Sequence, residues 1–352
     1  MKKSLRRLDY DWFPKMFSFD HLWKAYRLCR KNVRWKATVQ RYCAMASYWI
    51  QKTQKRLRDG TFKSPGFNEF YILERGKVRF IQAVTIFERV VQRCLCDYCL
   101  NKALMPSFIM DNWASQKGKG YHFAIRRLRK YLARFIRKHG LNGYILLFDF
   151  KDFFASIPHD LVKRIAAKYI ADQEILRLLY HFIDCFGEIG LGLGSQISQI
   201  LALAVGSLFD HALTETLQND GYGRYMDDGF ILSDSKETLK ACAKKLQELS
   251  NRYGLRLNLK KTRIVKLSHG FKFLKKRFSF TETGKIIMKI CRKSISRERQ
   301  RLKKLVNKVR TGVLTVKDLY QSFQSWHGYA SFGNAWHTAQ NMKTYLISLL
   351  TA

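Results

Sequence analysis

Arg224-Tyr225-Met226-Asp227-Asp228-Gly229-Phe230-Ile231-Leu232 is the stretch whose reading decides the fold. The apolar and aromatic residues on either side, Tyr225 and Met226 before and Phe230 to Leu232 after, suit two short strands, so the two aspartates fall at a hairpin tip. Adjacent like charges are costly unless a cation joins them. Magnesium takes oxygen ligands through one or two carboxylates and leaves positions for substrate phosphates. Alone, the pair also fits a plain polar turn, because Asp and Gly favour turns for local reasons. Residues elsewhere in the chain must decide.

The charge is the first of these. The 352 residues, 47% of them hydrophobic, can bury a large core and form two or three domains. Against 27 Asp and Glu stand 65 Lys and Arg, a formal +38 that draws polyanions, with nucleic acid ahead of an anionic membrane surface. The basic residues run the whole length, which suits a protein that wraps a duplex and lets go as salt rises. No apolar run reaches the roughly 18 residues of a spanning helix and no clean signal peptide opens the chain, so no membrane partner and a cytoplasmic location are expected. Cys94, Cys96 and Cys99 lack a second pair at zinc spacing and read as helix packing in a reducing compartment.

Prolines are few and no Gly or Ser linker or internal repeat is visible, so the parts pack against one another. Residues 19–59 read as two basic helices, with stripes Leu22, Ala25, Tyr26, Cys29 and Tyr42, Met45, Ala46, Trp49, Ile50. Strands are expected at 67–73 and 77–84 around a turn at Arg75 and Gly76, then a helix over 87–103. A very basic helix at about 121–138 turns Ile125, Leu128, Leu132, Phe135 and Ile136 inward. Tyr144 to Phe148 is continuously apolar, as a strand buried on both faces would be, and Asp149 stands where it stops. A helical pattern at 159–182, a Gly-rich loop at 187–195 and a small-residue helix at about 197–217 precede the acidic hairpin. A helix at 235–253 and strands around 262–267 and 271–280 follow. From Ser294 the chain is helical and basic, with the stripe Leu302, Leu305, Val306, Val309.

Phe148-Asp149-Phe150-Lys151-Asp152-Phe153-Phe154 supplies a third acidic ligand candidate at a strand end. Two metals bridging phosphates in an in-line displacement need carboxylates from separate strands, and Asp149, Asp227 and Asp228 meet that need. As a mere helix cap, Asp149 would not. A buried strand ending in Asp, a Gly-rich loop and helix, then Tyr-Met-Asp-Asp in a hairpin: this order resembles the palm of a reverse transcriptase. The resemblance implies an α+β right-hand polymerase fold, with a helical N-terminal extension at 1–62, fingers at 63–140, palm at 141–267, and primer grip with a basic helical thumb at 268–352. It implies an RNA-directed DNA polymerase using two Mg2+ ions, with Mn2+ able to substitute, held by the three aspartates and the backbone carbonyl of Phe150.

Other site residues follow from the same likeness. Lys77 and Arg79 correspond to the fingers strand that holds the incoming dNTP, a task the forked guanidinium suits. Phe154 corresponds to the aromatic gate under the sugar, Leu193 and Gly194 to the loop beside the nascent base pair, and Lys261 to a lysine near the pyrophosphate. Arg126, Arg127, Arg129, Arg292, Lys293 and Arg297 are the expected phosphate contacts to the RNA template and RNA/DNA hybrid, whose A-form shape needs no base-specific contact.

Leu193-Gly194-Ser195-Gln196-Ile197-Ser198-Gln199 narrows the resemblance. Many bacterial reverse transcriptases of the group II intron and retron kinds begin this loop with Gln-Gly and end it with Ser-Pro. An aliphatic residue before the Gly and a Ser-Gln ending are similar to the enzymes of diversity-generating retroelements. A Gln beside the nascent pair can hydrogen-bond sugar and template, whereas Leu193 can only pack. Low fidelity, with errors opposite template adenine, is what the resemblance implies, as is a small basic accessory protein. Phe19 to Tyr26 followed by Arg34-Trp35, and Ser325 to Ala330 followed by Asn334, extend the likeness over nearly the whole chain. Asp111 to Lys117 departs from an Arg-containing stretch, and Phe273-Leu274-Lys275-Lys276 from the Phe-Leu-Gly-Tyr of the primer grip. From the length of the stretch after Ser268, no ribonuclease H domain is expected. An antiphage defence enzyme with its own noncoding RNA, a group II intron-like enzyme, and an RNA-binding protein with a degenerate palm are the alternatives.

Overall fold

The computed structural model describes residues 12–74, 76–215 and 221–351, leaving out the Lys77 side chain. Arg75 of the expected turn and residues 216–217 of the expected helix lie outside these. The chain opens with α1 (Phe13–Met16), α2 (Phe19–Cys29), α3 (Ala37–Ala44) and α4 (Ala46–Arg58). Two stripes predict two helices over 19–59, but three form. The backbone breaks at Met45, whose φ of −129° ends α3 and turns its side chain out to 52% exposure.

The hairpin of β1 (Phe67–Glu74) and β2 (Lys77–Val84) follows, then α5 (Ile86–Leu95), which runs through a π turn at Cys96–Leu100 into α6 (Asn101–Leu104). Cys94, Cys96 and Cys99 are buried there as free thiols, and burial pushes the Cys99 thiol up to about 12. The basic helix is α7 (Tyr121–His139), followed by β3 (Tyr144–Asp149), α8 (Phe153–Ser156), α9 (His159–Tyr169) and α10 (Gln173–Asp184). The single helical run expected over 159–182 is divided because Asp172 caps α10, its carboxylate accepting from the Glu174 and Ile175 amides. Next come α11 (Gln196–Glu215), β4 (Gly221–Tyr225), β5 (Asp228–Ser233), α12 (Lys236–Arg252) and β6 (Arg263–Lys266). The one strand predicted at 271–280 is instead a hairpin, β7 (Phe271–Phe273) and β8 (Lys276–Phe280), turned by Leu274 and Lys275 with φ of +44° and +65°. The pattern missed β9 (Ile286–Ile290), which completes a three-stranded sheet. Helices α13 (Arg292–Arg310), α14 (Val316–Ser331) and α15 (Trp336–Thr351) end the fold.

The central sheet is antiparallel throughout, in the order β4-β5-β3-β6. Its residues alternate between two cores, which explains the unbroken apolar run in β3. Leu146, Phe148 and Ile231 face the largest core, shared with α2 to α5 and α9 to α12. Ile145, Leu147, Phe230 and Leu232 face a second core under α7 and the three-stranded sheet. A third core lies within α13 to α15. By length and composition α11 could cross a membrane, contrary to the expectation that no run would; 72% of its apolar window is buried inside the fold.

Candidate active site

The register of the central sheet builds the site. The β3–β5 pairing ends on Asp149 opposite Asp228, and Tyr225 opposite Asp228 closes the hairpin, leaving Met226 and Asp227 as a two-residue turn. Met226 has φ of +55° at the first central position, where such turns favour Gly. Arg224 braces this turn from behind. Its guanidinium, fully buried, donates through Nη1 to the Met226 carbonyl at 2.7 Å, and through Nε and Nη2 to the two carboxylate oxygens of Asp210 at 2.6 and 2.7 Å. The Tyr222 hydroxyl adds a bond to Asp210 at 2.5 Å. Burial works against the Arg224 charge, but Asp210 outweighs it and the pKa is raised. Gly206 of α11 is required for this arrangement, since a Cβ there would fall on the guanidinium.

In front of the hairpin the balance is different. Asp149 is 3% exposed; its carbonyl accepts from the Asn258 amide at 2.7 Å and its Oδ1 from Asn258 Nδ2 at 2.9 Å. Oδ2 accepts from Lys261 Nζ at 2.5 Å. The Phe150 amide donates to the Asp227 carbonyl at 3.2 Å, joining the strand end to the hairpin tip. Burial raises the pKa of Asp227, with a further rise from the Asp149 charge and opposing pulls from Lys261 and Arg79. Asp228 is pushed up to about 7, first by burial, then by the Asp227 charge and by its hydrogen bond and charge interaction with Asp149. For Lys261, burial opposes the charge but Asp149 prevails, and its pKa rises. Three carboxylates thus share one nearby ammonium. Among the described residues no three His, Cys, Asp or Glu side chains already form a coordination shell. The donor set of hard oxygens on adjoining strands, with the proton affinity of Asp227 and Asp228 raised, nonetheless fits a divalent cation.

Five further predicted residues lie on β2, α8 and the Gly-rich loop. Phe154 is half-buried, edge-on to Phe153, and its carbonyl accepts from the Leu191 amide at 2.7 Å. The Leu193 carbonyl accepts from the Gln82 amide at 3.0 Å, tying the loop to β2. Gly194, at φ of +119°, lies so close that a Cβ would stand 3.0 Å from the Gln82 carbonyl. Arg79 is exposed and ion-paired with Glu74 at 3.2 Å across the hairpin, a contact of the kind worth at most about 1 kcal/mol. Lys77 opens β2, opposite Glu74.

The expected phosphate contacts divide. Arg126 and Arg129 are exposed on α7, and Arg292, Lys293 and Arg297 on α13. Arg127 does not join them: its Nε and Nη2 donate to both oxygens of Asp111 at 2.8 Å, with Tyr131 completing the cluster. This corrects its assignment, since a fork closed on a carboxylate has a structural duty. It also accounts for the unusual stretch from Asp111. The Arg224 amide donates to the Asp111 carbonyl and the Trp113 amide to the Arg224 carbonyl, both at 2.9 Å, so the stretch borders β4. Sequence reasoning passed over Arg224, Asp210 and Asn258 as site-building residues. A lone Arg in an apolar strand and a lone Asp in an apolar helix were the available signal, because such charges are buried only in pairs.

The family model described as reverse transcriptase (RNA-dependent DNA polymerase) matches residues 62–277. No curated protein matches the chain. Among solved structures, apo telomerase from Candida tropicalis is 15% identical with a TM-score of 0.51, over 70% of this chain and 53% of that one. Telomerase from Candida albicans, solved with a fragment of telomeric RNA, is 11% identical with a TM-score of 0.46, over 86% and 65%. The chain therefore spans between half and two thirds of the length of these telomerases, and at such identity the likeness concerns the right-hand polymerase fold alone. On the match over residues 62–277, the chain belongs to the reverse transcriptase (RNA-dependent DNA polymerase) family.

Proposed function

We propose that the protein synthesises DNA on an RNA template by metal-dependent nucleotidyl transfer, with Asp149, Asp227 and Asp228 as the metal-holding carboxylates. The observation that carries this reading is the register that sets Asp149 opposite Asp228, where burial and mutual repulsion raise the affinity of Asp228 for a positive partner, proton or metal. Magnesium, when bound, supplies Lewis acidity toward the primer 3′-hydroxyl and the dNTP phosphates. The chain's own residues do the rest. Asn258 fixes Asp149 through carbonyl and carboxylate, and Arg224 fixes the hairpin tip. Arg79 and Lys77 meet the triphosphate, Arg79 exchanging Glu74 for phosphate, and Phe154 takes the sugar. Lys261, already at Asp149, stands near the pyrophosphate. Arg126, Arg129, Arg292, Lys293 and Arg297 follow the template and hybrid backbones. Primer extension on an RNA template with dNTPs and Mg2+ tests the reading: wild type extends, Asp227→Ala and Asp228→Ala do not. Wild type that fails to extend, and is indistinguishable from both variants, contradicts it.

Within the family we propose the mutagenic enzyme of a diversity-generating retroelement, assisted by a small basic partner protein. The support is Leu193, which offers the nascent pair an apolar side chain while its carbonyl is engaged by Gln82. Sequenced cDNA from a mixed template should carry its errors opposite adenine; equal error at all four bases counts against this. The eight free cysteines suit work in a reducing compartment such as the cytoplasm.

A further inference from the structure

The helical end of the chain has its own core and meets the three-stranded sheet through a small set of bonds. One set centres on Lys276, at the turn where the sequence departs from the family pattern. Lys276 is 1% exposed, and among the described residues no carboxylate is paired with it. Its Nζ donates to the Tyr329 carbonyl at 2.8 Å and lies 4.0 Å from the centroid of the Tyr329 ring. The Tyr329 hydroxyl donates to the Lys275 carbonyl at 3.0 Å, so one residue of α14 holds both Lys275 of the β7–β8 turn and Lys276 at the start of β8. Tyr329 lies in the last turn of α14, where carbonyls lack helical partners and the helix dipole favours a cation. Cation, carbonyl and ring face together satisfy a charge that would otherwise not be buried.

A second bond pair lies beside it. The Asn334 amide donates to the Met288 carbonyl at 2.9 Å, and Asn334 Oδ1 accepts from the Met288 amide at 3.0 Å, holding the α14–α15 link to β9. Burial lowers the Lys276 pKa to about 8, against an opposing effect of Cys291, so near neutrality it keeps most of its charge. Leu274 and Lys275 both hold positive φ, as a two-residue hairpin turn requires and as non-Gly residues adopt only at a cost.

We propose that the Lys276–Tyr329 clasp is the joint that sets the helical bundle α13 to α15 against the three-stranded sheet, making Lys276 a positioning residue for the primer–template duplex. This rests on the polymerase reading, because only then do the exposed Arg292, Lys293 and Arg297 of α13 have a duplex to hold. A loosened joint lets the duplex leave more often without altering the carboxylates that serve the chemistry.

The test separates holding from chemistry. Fluorescence anisotropy with a labelled RNA/DNA primer–template, without dNTP, gives Kd; single-turnover extension at saturating duplex gives the rate. Lys276→Met keeps the stem and removes the charge, and Tyr329→Phe keeps ring and carbonyl while losing the bond to Lys275. The clasp predicts that Lys276→Met raises Kd about tenfold with the rate within about twofold of wild type, and that Tyr329→Phe falls between. Shorter products in the presence of a heparin trap should accompany this. A rate that falls with Kd unchanged, or no change in either, overturns the proposal. If Lys276→Met does not fold, Tyr329→Phe alone decides by the same split. A wild type that binds duplex but never extends it would instead remove the polymerase reading, which the Kd comparison distinguishes.

Discussion

Two sets of carboxylates flank the same hairpin, and they are treated in opposite ways. Behind it, Asp210 meets Arg224 in a two-pronged pair, both side chains fully buried, with Tyr222 and the Met226 carbonyl completing the bonds. In front, Asp149, Asp227 and Asp228 share the ammonium of Lys261, and Asp228 holds its proton up to about pH 7. A closed pair has no vacancy for a ligand and serves as scaffold; a cluster short of positive charge is chemically unfinished. The lesson is that burial of acids does not by itself mark a site. What marks it is burial without enough matching charge.

The comparison can be broken at its strongest point. Arg224→Met leaves Asp210 buried without its partner and should destabilise the protein by about 3–5 kcal/mol in chemical denaturation, whereas adding Asp210→Asn should recover part of that loss. A stable single variant would mean that the rear pair is not the brace described.

The front cluster predicts a pH dependence of opposite character. The Asp228 pKa is raised from 3.8 to about 7 on folding, so the native state holds a proton that the unfolded state has released between those values. Stability of the metal-free protein should therefore fall as pH rises from about 4 to about 7, and Asp228→Asn should flatten that slope in thermal melts. Unchanged slopes would place the surplus charge elsewhere.

The smallest effect belongs to the turn between the two sets. Met226→Gly relieves a positive φ and should change stability by about 1 kcal/mol or less in the favourable direction, as the strain of one such residue allows. A clear loss would show that the Met side chain contributes packing beyond its backbone role.

Much of this site was legible because its signals are local. The hairpin around Asp227 and Asp228, the strand ending at Asp149 and the helix preceding the hairpin all follow from runs of apolar residues a few positions long, and the register then follows from burial of alternate faces. What stayed hidden depends on pairing between distant segments. Nothing near Asp210 announces Arg224, fourteen positions on, and Asn258 finds Asp149 across the sheet edge. Arg127 misled for the same reason: on a basic helix it looks like its neighbours, and only Asp111 from the preceding loop reveals its task. The two-helix reading of 19–59 and the single helix over 159–182 failed where a backbone break at Met45 and a cap at Asp172 interrupt an otherwise continuous pattern. The strand β9 was missed although a turn signal precedes it, the polar stretch Thr281-Glu282-Thr283-Gly284 with Gly284 at φ of +77°.

Metal affinity tests the central claim most directly. Mn2+ binding, followed by electron paramagnetic resonance with the RNA/DNA hybrid and dNTP present, should strengthen as pH rises through about 7, because the cation and the Asp228 proton compete for one cluster. Asp228→Asn should bind Mn2+ weakly and without that pH dependence, while Arg224→Lys should keep the dependence. Equal Mn2+ affinity in wild type and Asp228→Asn at every pH would contradict the claim that these carboxylates hold the catalytic metals.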